Sequence, residues 1–585
     1  MAKKIARTIR MGAFCWLLSI SVSYAQQALV VRGGTLIDGN GGAPLENVDI
    51  LIEGDRISEI RIGGFSRVPP NAEIIDARGK FILPGLQDFH LHYRGWMPPL
   101  FINHGITTIH DIGNSPPQWI LAQREMLQQE RIVGPRLYAA VLNLYGRPRR
   151  DVAIESRLPD MIFFETVAEA RSWAEKAVEL KADYIKVHDG FTGEMLLAVA
   201  QVAKQHGLPI VGHVAPVLDA FQAAELGQNE FEHSTGVGRA ITLDLDELRS
   251  LRKEWEEALI GRARTVFEAL VVDFYSVDPV KQERLIQVLV EKGIFLEADW
   301  VTPSRNITPR KKEWAFQDLV FWSNPELSFV PLGDRLRWLD YSPWEHFSED
   351  LKAKLIRSLA NWKNFIVKFS AAGGKVIVGT ASPNAIPGIS VHRDMQLLVD
   401  AGLPPMKALQ AATRNIAELA GLLDDLGTIE AGKYADLLII DGNPLEDISN
   451  TQKIAHVIKG GEKIDRRYSA DFRNPIPTPV MVDEGGHNNP KPAITGMEPA
   501  VFTQGDPETV AEIRGRGFTI GSVAYVNHHA VRTKFKSPEL LEVVLSSTLL
   551  SQVGTYPVQV INPHPLPPLE NAGDSNKLMV IVKFR

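Results

Sequence analysis

Histidines and one lysine stand at the ends of short apolar runs in the middle of the chain. His90 and His92 form a His-x-His pair, and both imidazoles can face the same way because side chains alternate along an extended strand. Lys186 lies inside a later apolar run, and His213 and His233 end the next two runs. Two imidazoles at i and i+2 can chelate one metal ion. The set therefore predicts a metal site.

Each of these residues alone also fits an ordinary structural role. His213 could be a hydrogen-bonded core histidine, and Lys186 could extend its stem toward a polar edge. The metal interpretation is favoured because the residues recur together at the carboxyl ends of predicted strands, where barrel enzymes carry their catalytic groups. His110 ends another strand and is a candidate supporting residue. The remaining histidines of this region are interpreted as helical, loop or surface residues: His104, His188, His206 and His392.

The elements that must position these side chains alternate between strand and helix from residue 81 onward. Eight βα units in series are typical of a closed (β/α)₈ barrel of the α/β class, predicted over 81–424. The predicted strands are 81–86, 107–110, 136–141, 184–187, 210–212, 230–232, 294–296 and 376–378.

The last two connections between these strands are long, and the second is rich in tryptophan. These side chains could form a wall over the site or pack inside helical inserts, and the sequence leaves both interpretations open. The tryptophans concerned are Trp300, Trp314, Trp322, Trp338, Trp344 and Trp362.

Short strands with tight turns lie on both sides of the predicted barrel. Residues 26–80 and 425–470 are expected to form one composite β-sandwich. A proline-rich linker is predicted over 471–492, and 493–585 contains short strand patterns that indicate a separate all-β domain.

Composition fits a globular protein and excludes some partners. The 585 residues are 45% hydrophobic and carry a net charge of −7. No basic tract occurs beyond the extreme N-terminus, so nucleic-acid binding has no electrostatic support. The single cysteine, Cys15, falls in a segment expected to be removed, which excludes disulfides and thiolate metal sites in the mature chain.

Residues 1–25 have the pattern of a signal peptide. Basic residues precede a short apolar stretch, and Ser23-Tyr24-Ala25 offers a cleavage site. The protein is therefore expected to be exported to the periplasm or the extracellular space, with no membrane span once the signal is removed. An uncleaved membrane anchor is the alternative.

Several ordered motifs resemble the amidohydrolase superfamily, in the branch of imidazolonepropionase-like and Xaa-Pro dipeptidase-like enzymes. They cover about 28–465 and comprise GGTLIDG (33–39), PGLQDFHLH (84–92), GITT (105–108), YIK (184–186) and GKYAD (432–436).

That resemblance implies a metal-ion centre. His90 and His92 would bind the more buried ion, and His213 and His233 the second. Lys186, carbamylated by CO₂, would bridge the two ions, which are expected to be Zn²⁺.

The chain departs from the family pattern at the eighth strand. The family pattern Gly-Thr-Asp is replaced by Gly379-Thr380-Ala381, so the aspartate that binds the buried metal and accepts a proton from water is missing. Three interpretations remain open. In the first, the domain hydrolyses slowly without this group; in the second, Asp111 at the end of strand two substitutes as the base; in the third, the domain is a degenerate or engineered-inactive form that still binds ligand.

The C-terminal segment resembles an IPT/TIG immunoglobulin-like domain. The matching motifs are ITGMEP (494–499), GTYPVQVINP (554–563) and SNKL (575–578). Such a domain implies a spacer or a surface or protein contact, since it shows no catalytic constellation.

The sequence thus predicts an exported metal-dependent hydrolase of carbon–nitrogen bonds, impaired or altered by Ala381. Its expected substrates are small amides or peptides, as for a dipeptidase, an N-acyl amino acid hydrolase or a cyclic amide hydrolase. The alternative is a catalytically degenerate exported metal- or ligand-binding protein.

Overall fold

A computed structural model describes residues 28–113, 115–146, 160–258, 271–305, 307–331, 334–335, 338–339, 347–476, 491–519, 522–527, 529–562 and 575–584. The predicted signal segment and most of the predicted linker lie outside these ranges. Within them, no helix is long and apolar enough to cross a membrane.

The described chain opens with a sheet built around its first strand. This strand pairs antiparallel with the second and parallel with the fourth and fifth. Alternating valine and isoleucine residues bury one face of the sheet, as Val31, Ile50 and Ile52 illustrate. The strands are β1 (Leu29–Leu36), β2 (Leu45–Glu53), β3 (Arg56–Ile62), β4 (Glu73–Asp76) and β5 (Phe81–Pro84).

Ten parallel-paired strands follow in the described residues, in three hydrogen-bonded groups. They are β6 (Leu86–Leu91), β7 (Ile106–Asp111), β8 (Arg136–Ala139), β9 (Asn143–Gly146), β10 (Met161–Phe164), β11 (Ile185–Val187), β12 (Ile210–Gly212), β13 (Glu230–Phe231), β14 (Phe295–Glu297) and β15 (Lys375–Ile377). The groups are β6-β7-β8, β10-β9-β11-β12 and β13-β14-β15. β9 and β10 are additional to the eight strands predicted from sequence.

Backbone hydrogen bonds join these groups to one another. Phe89 N donates to Val378 O and Thr380 N donates to His90 O, which bring β15 beside β6. Asp183 N donates to Ala139 O, linking the approach of β11 to β8.

The prediction for the first barrel strand was wrong in its bounds. Residues 81–84 form β5, which pairs with the N-terminal sheet, and the strand that pairs with β7 starts at Leu86. The reason lies at Gly85, whose N–H donates to Asp436 O and whose missing side chain leaves room for Thr107. The apolar run 81–86 therefore spans two strands, and His90 lies inside β6 rather than after it.

Helices cover the connections between the strands. Some of the long helices begin at side-chain caps, such as the Thr166–Glu169 capping box and Ser348. They are α1 (Pro98–Asn103), α2 (Pro117–Gln128), α3 (Val167–Glu179), α4 (Gly193–His206), α5 (Ala220–Glu225), α6 (Val237–Ile241), α7 (Leu245–Ala258), α8 (Pro279–Glu291), α9 (Val301–Ser304), α10 (Lys311–Ser323), α11 (Glu349–Ala371), α12 (Ile389–Ala401), α13 (Pro405–Ala411) and α14 (Arg414–Leu419).

The chain then returns to the N-terminal sheet through β16 (Leu437–Ile440), β17 (Ile454–Lys459) and β18 (Glu462–Lys463). β16 pairs antiparallel with β5, so the sheet reads β18-β17-β16-β5-β1-β2-β3 with β4 beside β1.

The C-terminal region is an all-β unit with its own core, which includes Ile513, Val543 and Val560. Its strand order is β19-β21-β24-β23-β22-β25-β26-β20. The elements are β19 (Ala493–Glu498), β20 (Val501–Thr503), β21 (Thr509–Arg516), β22 (Val523–Val526), β23 (His529–Ser537), β24 (Leu540–Leu545), the short helix α15 (Ser547–Leu550), β25 (Gly554–Ile561) and β26 (Leu578–Lys583).

Four of the tryptophans in the long connections pack in the interior. Trp300, Trp314, Trp338 and Trp362 are fully buried, which favours the packing interpretation for them. Trp344 lies outside the described residues.

Candidate metal centre

Two of the predicted histidines are held by acidic side chains of the β14 end. His90 Nδ1 lies 3.0 and 3.1 Å from the two carboxylate oxygens of Glu297. His233 Nδ1 lies 3.1 Å from Oδ2 of Asp299. Glu297 also accepts a 2.9 Å hydrogen bond from His233 N. Because a carboxylate only accepts hydrogen bonds, the Glu297 contact keeps the proton of the His90 ring on Nδ1, and both contacts place Nε2 on the side of the ring away from β14.

The other two histidines have the same orientation with different partners. His92 Nδ1 lies 3.1 Å from Gly113 O, and a carbonyl oxygen likewise requires the proton on Nδ1. His213 Nδ1 lies 3.7 Å from Oδ1 of Asp189. Burial, the largest influence, lowers the pKa of both imidazoles, so each ring is held in the neutral form that binds metal.

Glu232 lies where three of these rings converge. Its Oε1 is 2.8 Å from His90 Nε2 and 3.7 Å from His233 Nε2, and its Oε2 is 3.7 Å from His213 Nε2. The side chain of Glu232 is only 4% exposed. A carboxylate this deeply buried requires compensating positive charge.

The Glu232–His90 contact brings two possible ligand atoms together. Oε1 of Glu232 and Nε2 of His90 are 2.8 Å apart, and His90 Nε2 has no hydrogen-bond partner among the described residues. In a tetrahedral zinc site with bonds of about 2.0–2.1 Å, ligand atoms lie about 3.3 Å apart. The ligand atoms of His90, Glu232 and His233 lie within 4.8 Å of one another. This donor set therefore fits a zinc-like cation.

A second group of possible ligands lies beside the first. His188, Asp189 and His213 each offer an atom within 4.8 Å of the others, and the rings of His188 and His213 are 3.9 Å apart. His188, predicted to be a helical, loop or surface residue, lies in the loop that directly follows β11 and also belongs to this group.

Lys186 extends from β11 into the same centre. Its side chain is 1% exposed, and Nζ contacts Oε2 of Glu232. Burial lowers the pKa of Lys186 to about 7, although Glu230 and Glu297 act in the opposite direction. The neutral amine, which is the form that reacts with CO₂, is therefore populated near neutral pH.

Several strand ends at this centre have left-handed backbone. His233, Ser234, Asp299 and Ala381 have φ values of 53°, 51°, 43° and 45°. Side chains other than glycine rarely adopt this conformation, and such residues cluster at functional sites. Here the sharp turns aim side chains of neighbouring strands at one point.

The eighth strand end contributes backbone and hydroxyl groups to this centre. Ala381 is buried, and its N–H donates to His90 O at 2.8 Å. Thr380 Oγ1 donates to Asp88 Oδ2 at 2.6 Å and lies 2.7 Å from Ser382 Oγ.

Asp111, the candidate substitute base, is bound to the neighbouring loop. Its Oδ1 accepts hydrogen bonds from Tyr93 N at 2.7 Å and from Ser115 Oγ at 3.4 Å. It lies in neither ligand group. Its charge does reach the centre, where it raises the pKa of Lys186. His110, the candidate supporting residue, has Nδ1 2.6 Å from Tyr184 Oη and Nε2 3.3 Å from Gln87 Oε1.

Comparison with known proteins supports the expected relationship to amidohydrolases. Residues 351–464 match the amidohydrolase family. The N-acyl-D-aspartate deacylase of Alcaligenes xylosoxydans xylosoxydans is 34% identical over 116 residues, which is 19% of this chain and 22% of that protein. The chain therefore matches about a fifth of the length of this relative.

Solved structures agree in fold over a longer range. A Xaa-Pro dipeptidase with bound methionine in its active site superposes with a TM-score of 0.54 and 21% identity, covering 75% of this chain and 100% of that one. Molinate hydrolase has the same TM-score and identity, with coverages of 76% and 96%. The chain thus has the fold of these hydrolases and carries an amidohydrolase-family segment. The similarities support a hydrolase.

Sequence reasoning missed the acidic members of the centre. Glu232 directly precedes His233, and Glu297 and Asp299 alternate at the end of an apolar run. That spacing is the signal that could have identified them, because alternate residues of a strand share a face.

Proposed function

We propose that the protein is a metal-dependent hydrolase of carbon–nitrogen bonds in small amides or peptides. The observation that carries this proposal is the orientation of four histidines, the buried His90, His213 and His233 and the partly buried His92, each with its Nδ1 against an outer oxygen. Imidazoles oriented in this way around a buried carboxylate form a cation site that is organised before the metal binds.

Zinc is the proposed ion, held by His90, His92, His213 and His233. When bound, it supplies Lewis acidity toward a carbonyl oxygen and lowers the proton affinity of water. Lys186 is proposed to be carbamylated. The support is its buried Nζ beside Glu232 and the packing of its stem against Gly212, where an added side chain would press on it.

The proposed architecture is a closed (β/α)₈ barrel with the site at the carboxyl ends of its strands. The hydrogen bonds between β15 and β6 support closure. Strand ends on five elements then contribute to one mouth, as catalytic groups do in such barrels.

The proposed substrates are dipeptides, N-acyl amino acids or cyclic amides. Two similar proteins support this class through their names, N-acyl-D-aspartate deacylase and Xaa-Pro dipeptidase. Export through residues 1–25 and a spacer or contact role for an IPT/TIG-like C-terminal unit are also proposed, on the sequence patterns described above.

The test begins with the metal content of the purified mature protein after incubation with zinc and ¹³C-bicarbonate. We expect about two zinc ions per chain, a carbamate resonance in the ¹³C spectrum, and hydrolysis of members of a dipeptide and N-acyl amino acid panel. Chelation should remove both the metal and the hydrolysis.

A histidine pair provides the matched control. His90→Asn should abolish zinc retention, whereas His206→Asn, on the exposed surface of α4, should leave it unchanged. If the wild-type protein retains well under one zinc ion and cleaves nothing while ligands still raise its Tm, the ligand-binding alternative replaces the hydrolase.

A further inference from the structure

We infer that Glu232 is the inner carboxylate of the centre and serves in place of the one that residue 381 lacks. This inference rests on the proposed function, because it assigns a ligand and proton acceptor to the metal site described above. Position 381 offers only a methyl group, which can neither ligate a cation nor accept a proton.

The position of Glu232 relative to the histidine rings supports this assignment. Glu232 reaches inward ring nitrogens with both oxygens, Oε1 toward His90 and His233 and Oε2 toward His213. Other acids near the centre face outward nitrogens instead, since Glu297 and Asp299 contact Nδ1 atoms. Glu232 therefore lies on the ligand side of the imidazoles, while the two β14 acids lie behind them.

The balance of charge between the ligands and the proposed zinc ions supports the same assignment. Four neutral histidines and a carbamate carry one negative charge, and two zinc ions carry four positive charges. A carboxylate at Glu232 raises the anionic charge of the ligands to two, which is the value that an aspartate at position 381 would give. A buried dication pair with too little anionic compensation is costly.

Glu232 and residue 381 also have a neighbour in common, because both contact His90. Ala381 N donates to His90 O at 2.8 Å, and Glu232 Oε1 lies 2.8 Å from His90 Nε2. His90 thus contacts residue 381 through its backbone oxygen and Glu232 through its ring, so both positions border the same proposed ligand. Aspartate also tolerates the left-handed backbone of residue 381 better than most residues do.

The experiment measures zinc stoichiometry and zinc affinity, by elemental analysis and by chelator competition, alongside hydrolysis. Four proteins are compared: wild type, Glu232→Gln, Ala381→Asp and the Glu232→Gln/Ala381→Asp double variant. Glu291→Gln is the matched control, because it makes the same substitution on the exposed surface of α8.

We expect Glu232→Gln to weaken zinc binding more than about 100-fold, beyond the ~10–100-fold typical of outer partners. The double variant should recover to within about tenfold of wild type, and Glu291→Gln should bind zinc normally. Hydrolysis should follow the same order, with a wild-type pH profile in the control only.

Unchanged zinc binding in Glu232→Gln overturns the inference, and so does a loss that Ala381→Asp fails to restore. If circular dichroism shows that Glu232→Gln does not fold, Glu232→Asp is measured instead, and the same two outcomes apply. A wild-type protein without zinc would instead overturn the proposed function, so the two failures are distinguishable.

Discussion

The ends of the neighbouring strands β14 and β15 differ in the groups they bring to the same centre. β14 ends in Glu297 and continues to Asp299, and both acids are fully buried against imidazoles. β15 is followed by Thr380 and Ala381, whose contributions are a hydroxyl and a backbone N–H. The end of β14 therefore supplies carboxyl groups, whereas the end of β15 supplies a hydroxyl group, a backbone N–H and open space.

The two strand ends depend on each other through one glycine. A methyl group on Gly379 would overlap Oε1 of Glu297 and lie 2.6 Å from Cβ of His90. The carboxylate of Glu297 on β14 thus occupies the space that the missing side chain of Gly379 leaves after β15. The lesson is that a site's acidic groups can come from different strands, because the side chains converge on one point whichever strand carries them.

The largest expected effect comes from filling the space beside Gly379 that the Glu297 carboxylate occupies. Gly379→Ala should displace Glu297 and His90, and we expect loss of zinc retention together with a lower Tm, since overpacking a filled interior costs about 1–3 kcal/mol. Zinc analysis and thermal unfolding measure the two effects. Gly42→Ala is the control, because no atom lies within 4 Å of the added group. Normal zinc retention in Gly379→Ala would show that the two strand ends are independent.

An intermediate effect is expected from neutralising β14 alone. Glu297→Gln keeps the size of the side chain but can present an amide N–H to the protonated His90 Nδ1, so the ring loses its fixed orientation. Zinc affinity should fall about 10–100-fold, the range typical of an outer carboxylate. Chelator competition measures it, with exposed Glu291→Gln as the control. If Glu297→Gln weakens zinc more than Glu232→Gln does, the inner and outer assignments must be exchanged.

The smallest effect on hydrolysis is expected at Asp111, away from both strand ends. Asp111→Asn keeps an oxygen that can accept from Tyr93 N, so hydrolysis should change little, whereas loss of a general base typically costs ~10²–10⁴-fold. A loss of that size would restore Asp111 as the substitute base.

The same variant should alter how stability depends on pH. Burial raises the pKa of Asp111 from 3.8 to about 7, so the fold favours the neutral carboxyl. Its stabilising contribution is present below the ordinary pKa and is lost as the pH rises toward 7, on the order of 4 kcal/mol. Asp111→Asn should remove this part of the pH dependence, as urea unfolding between pH 4 and 8 would measure. An unchanged dependence would contradict the assigned burial effect.

The chain's local patterns already predicted much of this arrangement. Alternation of apolar runs with helical segments predicted the α/β region, and the similarity to known hydrolase structures supports that fold. The histidines and Lys186 could be identified because their residue types are rare at the ends of apolar runs. The absence of an acid at position 381 could also be recognised from the sequence, because it depends only on which residue stands there.

Local sequence patterns did not predict strand bounds that depend on which other strand a segment pairs with. The apolar run 81–86 carries no sign that its first four residues pair with β16 while Leu86 starts the next strand. Strand pairing is non-local, so the division at Gly85 depends on Asp436, some 350 residues away in sequence.

The sequence by itself determined which residues were available: four histidines, a buried lysine and no acid at position 381. Only the tertiary structure decided that Glu232 lies among the inward ring nitrogens while Glu297 and Asp299 lie behind the rings. The physical reason is that burial of a charge is tolerated only where opposite charges and hydrogen-bond partners converge. That convergence depends on the packing of strand ends distant in sequence, which no short stretch of sequence specifies.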